Sequence, residues 1–370
     1  MNILVPNLGS TSLKYQILEM PSEKVLARGR MERVTDHGEA IAQVRTAGVP
    51  IHAVALKAVH AGPAYCGTYL VDSALVRAME EYLGAAPAHN AIYLTAIRAF
   101  QEALPEVALV AAFETEFHAH MPEHARHYGV PSAWREEGVH KYGFHGASHQ
   151  YIAERVYRMV GRYTRLVSCH LGGSSSMCAI DGGRSIDTTM GFSPQSGLEN
   201  ATRHGDMDVF AVLFMMERHG WSIDEVRRQL ARGGGLAGLS GIPGGDVRDL
   251  EQAAERGDRG ATLALDVFVY QVRKTIGAYA AAMGGLDTLA FTGGIGENSA
   301  SLRWECCRGL GFLGIELDLD ANENLNGDRL VSASSSRVQV FALATNEELI
   351  VARRAYWHLV AIGEIPPPPN

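Results

Sequence analysis

Apolar runs that break into polar, glycine-bearing turns recur along this chain, and the first is the most informative. Ile3-Leu4-Val5 passes through Pro6-Asn7-Leu8 into Gly9-Ser10-Thr11-Ser12, and residues 13–18 return with alternating character. The pattern predicts a β-hairpin whose loop offers backbone N–H groups, three hydroxyls, the Asn7 amide and Lys14. Such a loop suits a phosphate, because glycine lets the backbone approach and lysine adds a point charge. An ordinary hairpin with a polar tip fits the same pattern. The plan returns in the second half: residues 166–171 are apolar, Gly172-Gly173-Ser174-Ser175 turns, and residues 176–180 return. Asp181-Gly182-Gly183 then makes another tight turn. One such hairpin in each half points to a duplicated fold clamping a nucleotide's phosphates between two domains.

Between the hairpins, residues 25–31 read as a strand, and 54–62 as an apolar strand entering a loop, interrupted by Lys57 and His60. Residues 79–83 and 91–103 read as helices separated by a linker over 84–90. The continuous apolar run 107–113 has the length and composition of a buried strand. It delivers Glu114 at its C-terminal end, where α/β sheets present functional groups. Residues 122–138 read as loop or short helices, and a helix follows the stretch 142–149 as far as Gly161. Beyond the second hairpin come polar loops over 187–194 and 202–208, helices over 209–219 and 222–232, and a further loop over 238–249. The longest helix covers about 261–283, strands fill 286–291 and 338–343, and a closing helix over 349–361 runs into a Pro-rich tail. Strands interleaved with helices make an α/β protein.

At 370 residues with 46% hydrophobic content, the chain can build two domains. A net charge of −8 gives no reason to expect nucleic acid, so anionic substrates must be drawn by local basic groups. The five cysteines lack a paired CxxC spacing, which reads as reduced thiols of a cytoplasmic protein. No stretch approaches the roughly 18 apolar residues of a membrane span.

Three motifs then carry a resemblance that runs nearly end to end and thins over about 19–56. Asn7-Leu8-Gly9-Ser10-Thr11-Ser12-Leu13-Lys14, Tyr142-Gly143-Phe144-His145-Gly146-Ala147-Ser148-His149 and Phe291-Thr292-Gly293-Gly294-Ile295-Gly296-Glu297-Asn298 resemble the acetate kinases. That family lies within the sugar kinase, Hsp70 and actin superfamily. The resemblance implies a duplicated actin-like ATPase fold with an interdomain cleft. The first domain would be 1–117 plus the returning 349–370, and the second 118–348. It implies phosphorylation of a short-chain carboxylate by ATP with Mg²⁺, giving an acyl phosphate and ADP reversibly, in a homodimer. No GxxxxGK[ST] loop competes with the Gly-Ser hairpins as the phosphate cradle.

Carried over residue by residue, the resemblance puts Asn7, Ser10, Ser12 and Lys14 at the phosphate and metal end, with Glu347 positioning Mg²⁺. His145 would touch the transferring phosphoryl group, and Arg203 would pair with the acceptor carboxylate and the developing charge. Lys57 and Glu114 complete the catalytic set. Val59, Ala88, His89, Phe144 and Pro194 would line the acyl pocket. His170, Gly172 and Gly173 belong to the second phosphate hairpin. Asp246, Arg248, Gly293, Gly294, Ile295, Gly296 and Asn298 belong to the adenosine side. Inside that set the chain departs from the family: Lys57 stands for an arginine, Glu114 for an aspartate, Gly173 for an asparagine, Ala88 for a leucine and Ser196 for a glutamate. These departures bear on the acceptor, so propionate, butyrate or another acid is an alternative to acetate. A nucleotide-binding sensor that has lost catalysis is a second alternative.

Overall fold

The computed structural model describes residues 1–8, 12–34, 40, 41, 44, 48–324 and 327–368; the side chains of residues 87–89 lie outside that description. Two mixed sheets organise the chain. The first is built from β1 (Asn2–Leu8), β2 (Ser12–Glu19), β3 (Lys24–Glu32), β4 (Ala53–Ala58), β5 (Thr68–Leu70) and β6 (Ala108–Phe113), in the order β3-β2-β1-β4-β6-β5. The second is built from β7 (Leu166–His170), β8 (Ser176–Asp181), β9 (Arg184–Thr188), β10 (Thr288–Thr292), β11 (Arg329–Leu330) and β12 (Gln339–Ala342), in the order β11-β12-β10-β7-β8-β9.

The two orders correspond strand for strand. β1 pairs antiparallel with β2 and parallel with β4, as β7 does with β8 and β10. β3 and β9 continue each meander, β6 and β12 add a second parallel pairing, and β5 and β11 close one edge antiparallel. The duplication expected from two hairpins therefore extends over whole sheets.

Alternation along the strands decides what covers each face. Ile3 and Val5 of β1 face the closing helix Glu347–Ala361, packing with its Ile350, Val351, Ala355 and Leu359. Leu4 and Leu8 face the other way, toward Tyr93, Ile97 and Phe100 of the helix Pro87–Ala103. In the second sheet, Val167, Leu289 and Phe291 pack on the long helix Arg259–Ala282, whose buried Ala261, Ala264, Phe268, Val272 and Ile276 keep helical spacing. Ala290 and Phe341 face Ile152 and Val156 of the helix Gly146–Val160. At about 1.5–3 kcal/mol per buried large aliphatic or aromatic side chain, these faces are what hold the helices to the sheets.

Several boundaries differ from the sequence expectation, the first being the helix read over 79–83, which runs over Ser73–Glu81 because the Asp72 carboxylate caps it by accepting from the Leu75 N–H. The supposed linker over 84–90 supplies the first turn of the helix Pro87–Ala103, since a proline at the first position gives up an N–H that has no helical partner anyway. The supposed loop over 238–249 takes in the end of a helix Gly235–Ser240 and the start of Val247–Glu255, the latter capped by the Asp246 carboxylate accepting from the Arg248 N–H. Asp187 and Thr188 finish β9 instead of opening a loop. The closing helix starts at Glu347, two residues early, because the Asn346 side chain caps it by accepting from the Leu349 N–H.

Candidate active site

Adjacent strand ends bring the first group of residues together. Ala58 and Phe113 are partners across β4 and β6, so Lys57 leaves the sheet beside Glu114, whose N–H donates to the Ala58 carbonyl at 2.8 Å. The first turn of the closing helix meets them there, and the Lys57 ammonium is ion-paired with the Glu347 carboxylate. One residue on, Glu348 accepts from the Asn7 amide at 3.3 Å, which ties the end of β1 to the same helix start.

Three ionisable groups, Glu114 buried and Lys57 and Glu347 partly so, then share one corner. Burial alone would discharge Lys57, but Glu347 and then Glu114 outweigh it and hold its pKa well above the ordinary value. Burial likewise raises Glu347, and the attraction of Lys57 more than reverses it, leaving that carboxyl below its ordinary range. Glu114 has the opposite outcome. Burial pushes it up to about 7, and Lys57 offsets only part of that. Among the described residues neither Glu114 carboxylate oxygen has a hydrogen-bond partner.

The Tyr142–His149 motif joins this corner through its glycine. The Gly146 N–H donates to the Glu114 carbonyl at 3.0 Å, and a Cβ on Gly146 would stand 2.2 Å from that oxygen. This close approach admits only glycine, and it sets His145, at φ +57°, just before the helix Gly146–Val160. The His145 ring stacks on His170 at the end of β7, centroids 4.3 Å apart. Its Nδ1 is joined to Ser176 Oγ at 2.8 Å and its Nε2 to Ser174 Oγ at 3.1 Å. Burial, then the neighbouring His170, His149, Lys57 and Arg203, hold His145 well below its ordinary pKa, so it is a neutral imidazole.

Arg203 is held differently from a surface arginine. Its guanidinium donates to the Pro194 carbonyl at 2.9 Å, burial lowers its pKa to about 10, and it makes no ion pair among the described residues. A desolvated cation without an anion is a site for one. Nearby, Val59 and Phe144 share one apolar cluster with Tyr142 and Met190. The side chains of Ala88 and His89 fall outside the described residues, as does Ser10.

The glycine-rich loops form a second, connected feature. β7 and β10 are parallel neighbours, so Gly172-Gly173 and Gly294-Ile295 leave the sheet from the same edge. With Asp246, Arg248 and Asn298 they line a cleft of about 910 Å³. Gly293 (φ +77°) passes so close to Leu171 that a Cβ there would lie 2.6 Å from the Leu171 carbonyl oxygen; Gly293 and Gly296 are buried beneath the cleft. The Asp246 carboxylate accepts from Arg248 Nε at 3.0 Å and from its terminal nitrogen at 2.7 Å, which orients the guanidinium at the rim.

Some expected residues stand apart, and some contributors went unpredicted. Lys14 is exposed on β2, level with Asn7 across the hairpin, and Ser12 opens the same strand. Ala201, Gly244, Gly245, Glu251 and Ser299 also line the cleft. No residue type announces them, since most contribute backbone or come from a segment expected to be loop. Ser174 and Ser176 are different: the serine-rich hairpin was visible, and His145 and His149 are spaced to share a helical face, but only the fold shows that the two sets meet.

Comparison with known proteins agrees over nearly the whole chain. The family description "Acetokinase family" matches residues 39–353. An acetate kinase of Clostridium botulinum (strain Kyoto / Type A2) is 39% identical over 390 aligned positions, covering 95% of this chain and 98% of that one. The crystal structure of Porphyromonas gingivalis acetate kinase superposes with a TM-score of 0.85 at 33% identity, covering 97% and 99% of the two chains. A propionate kinase from Francisella tularensis subsp. tularensis SCHU S4 superposes with a TM-score of 0.87 at 30% identity, covering 95% and 98%.

Proposed function

The chain belongs to the acetokinase family, and from that premise we propose that it transfers the γ-phosphoryl group of ATP to a short-chain carboxylate, reversibly forming an acyl phosphate and ADP. It is a carboxylate kinase on the duplicated actin-like ATPase fold, with two domains, 1–117 plus 349–370 and 118–348. The observation that carries the reading is that β7 ends at His170, stacked on His145, and leads directly into the Gly172-Gly173 turn that lines the cleft, while Arg203 makes no ion pair among the described residues. The cleft has the volume for a nucleoside and the flat glycine floor that suits one. Asp246 and Arg248 take its outer side.

A carboxylate acceptor arrives ionised, so the reaction needs no general base. What it needs is positive and neutral donors that bring two anions together. Arg203 offers a planar fork to the acid and to the equatorial oxygens of the phosphoryl group. His145 supplies an uncharged ring that hydrogen-bonds the Ser174 hydroxyl on the hairpin turn, and Lys57 a point charge beside them. The acid's oxygen forms the new bond to phosphorus as the bond to the ADP oxygen breaks, the electron pair leaving with ADP.

The donor set fits Mg²⁺. Glu347, Glu348, Asn7 and Glu114 present oxygens to one corner, and neither Glu114 carboxyl oxygen has a hydrogen-bond partner among the described residues. Among the described residues no cluster of three or more His, Cys, Asp or Glu could hold a metal alone. A hard cation that keeps waters and shares phosphate oxygens suits such a partial set. When bound, Mg²⁺ neutralises the phosphate charge; Glu347 and Asn7 orient it, and Lys57 balances Glu347 until then.

The acceptor class covers acetate and somewhat longer acids, because the resemblance matches Ala88 to a leucine of the family's acyl pocket, a larger side chain. The assembly we propose is a homodimer. The helix Val209–His219 buries none of its side chains, and its Phe210 and Phe214 are 72% and 55% exposed beside Val209 and Leu213. A second copy would cover that stripe. No helix among the described residues is long and apolar enough to cross a membrane, and the cysteines are all free thiols, in keeping with a cytoplasmic enzyme. Trapping the acyl phosphate with hydroxylamine across acetate, propionate, butyrate and branched acids tests the function. Hydroxamate should form with at least one of them under ATP and Mg²⁺. ATP binding with no hydroxamate from any acid would instead identify a sensor.

A further inference from the structure

A chain of hydrogen bonds runs from the core of the second sheet to the hairpin turn whose Gly172 and Gly173 line the cleft. Ser168 Oγ, on β7, is joined to His149 Nδ1 at 2.9 Å; His149 Nε2 is joined to Ser176 Oγ at 2.9 Å. Ser176 Oγ is joined to His145 Nδ1 at 2.8 Å, and His145 Nε2 to Ser174 Oγ at 3.1 Å. Ser168, His149 and Ser176 are fully buried, and Ser174 is half-exposed on the hairpin turn.

The protons in this chain can be ordered in three ways. In one of them both rings donate to Ser176, whose own hydroxyl proton is then left over in the core with no other acceptor among the described residues. Each hydroxyl and each neutral imidazole carries one transferable donor, so five donors serve four links and one is left over. If donation runs inward, from Ser174 to Ser168, the spare proton is the Ser168 hydroxyl. Among the described residues Ser168 Oγ has no side-chain partner except His149, so that proton would sit in the core without an acceptor. If donation runs outward, Ser168 donates to His149 Nδ1, His149 Nε2–H to Ser176, Ser176 to His145 Nδ1, and His145 Nε2–H to Ser174. The spare proton is then the Ser174 hydroxyl, half-exposed on the turn beside Gly173, where water or a phosphoryl oxygen accepts it. Leaving a donor unmet in the core is the costlier arrangement, so the buried end of the chain sets its direction.

We propose that Ser168, His149 and Ser176 are positioning residues that hold His145 as the tautomer with its proton on Nε2, and that the Ser174 hydroxyl at the end of the chain donates to the transferring phosphoryl group. The inference rests on the carboxylate-kinase reading only for the identity of the anion that Ser174 meets. Burial keeps both imidazoles well below their ordinary pKa, which maintains one proton on each ring.

Two measurements on the full-length protein test it. Long-range proton–nitrogen spectra of the histidine-labelled protein, assigned with His145→Gln and His149→Gln, report which ring nitrogen is protonated. Both rings should be protonated on Nε2 at neutral pH, and Ser168→Ala should leave His149 in a mixture of tautomers. A proton on Nδ1 of either ring in the unaltered protein overturns the proposal. In the hydroxamate assay, Ser168→Ala and Ser174→Ala should each lower kcat about tenfold or more while the KM for ATP stays within about twofold, and Ser168→Thr should restore it. A Ser168→Ala protein with lower thermal stability but unchanged kcat would make that serine structural, and unchanged kcat in Ser174→Ala would remove Ser174 from the transfer; either contradicts the proposal. The tautomer spectra need no turnover. Correct tautomers in an inactive protein would therefore contradict the carboxylate-kinase reading and support the chain.

Discussion

Lys57 concentrates the chemistry that separates this chain from the family pattern. An arginine can hold two oxygens in a fixed plane, whereas an ammonium is one compact, strongly hydrated charge. Here that charge is spent on Glu347, while Arg203 has no carboxylate partner among the described residues. If Lys57 is fitted to an acid longer than acetate, Lys57→Arg should lower kcat/KM on that acid; if it is a compromise, the same change should raise kcat/KM on acetate. The account expects the loss, read from a panel of acids, and unchanged kinetics on all of them would place Lys57 outside the transfer. Glu114 yields a pH prediction. Its folded pKa, about 7, lies above the ordinary 4.5, so the folded protein holds that proton more tightly than the unfolded chain. The associated stability is complete below about pH 4.5 and is lost as pH rises through about 7. Glu114→Gln cannot ionise, so its melting temperature should pull ahead of the wild type by a few degrees across that window. A gap that is constant with pH would mean that Glu114 does not titrate there. Lys57 and Glu114 stand out because they interrupt or end apolar runs, and the site residues were legible through the motifs that carry the resemblance. Their partners were not, because the pairing of Lys57 with Glu347 spans 290 positions and depends on the closing helix returning to the first sheet.

Whole elements were easier to read than their ends. Both hairpins, the buried strand leading to Glu114 and the long helix Arg259–Ala282 follow from periodicity and length, the signals that survive tertiary context. The short helices around residues 235–255 were hidden by glycines, which promise a loop, yet Asp246 caps the second of them. That cap makes Asp246 bifunctional. Asp246→Ala should raise the KM for ATP more than that for the acid, and should cost about 1 kcal/mol through the lost cap. A change confined to the KM for the acid would contradict its place on the nucleotide side. The helix Val209–His219 carries its own test. Phe210→Glu would put a charge in the exposed apolar stripe, and sedimentation should shift from dimer to monomer with helical content retained. A dimer unaffected by the change would place the contact elsewhere.

At the scale of the molecule, two sheets with the same strand order bring the ends of β4 and β6 into one site with the ends of β7 and β10. That duplication was visible from two Gly-Ser hairpins with few shared residues, because the strand–turn–strand plan outlasts sequence identity. How the halves meet was not visible: it turns on Gly146 pressed against the Glu114 carbonyl, an approach no periodicity encodes. The central claim is that the acid's own oxygen attacks the γ-phosphorus. The measurement closest to it uses the carboxylate labelled with ¹⁸O, with ATP and Mg²⁺, followed by hydroxylamine cleavage at the carbonyl carbon and phosphorus NMR of the released phosphate. The account predicts phosphate carrying one ¹⁸O from the acid. Unlabelled phosphate would show that water is the acceptor, and would contradict it.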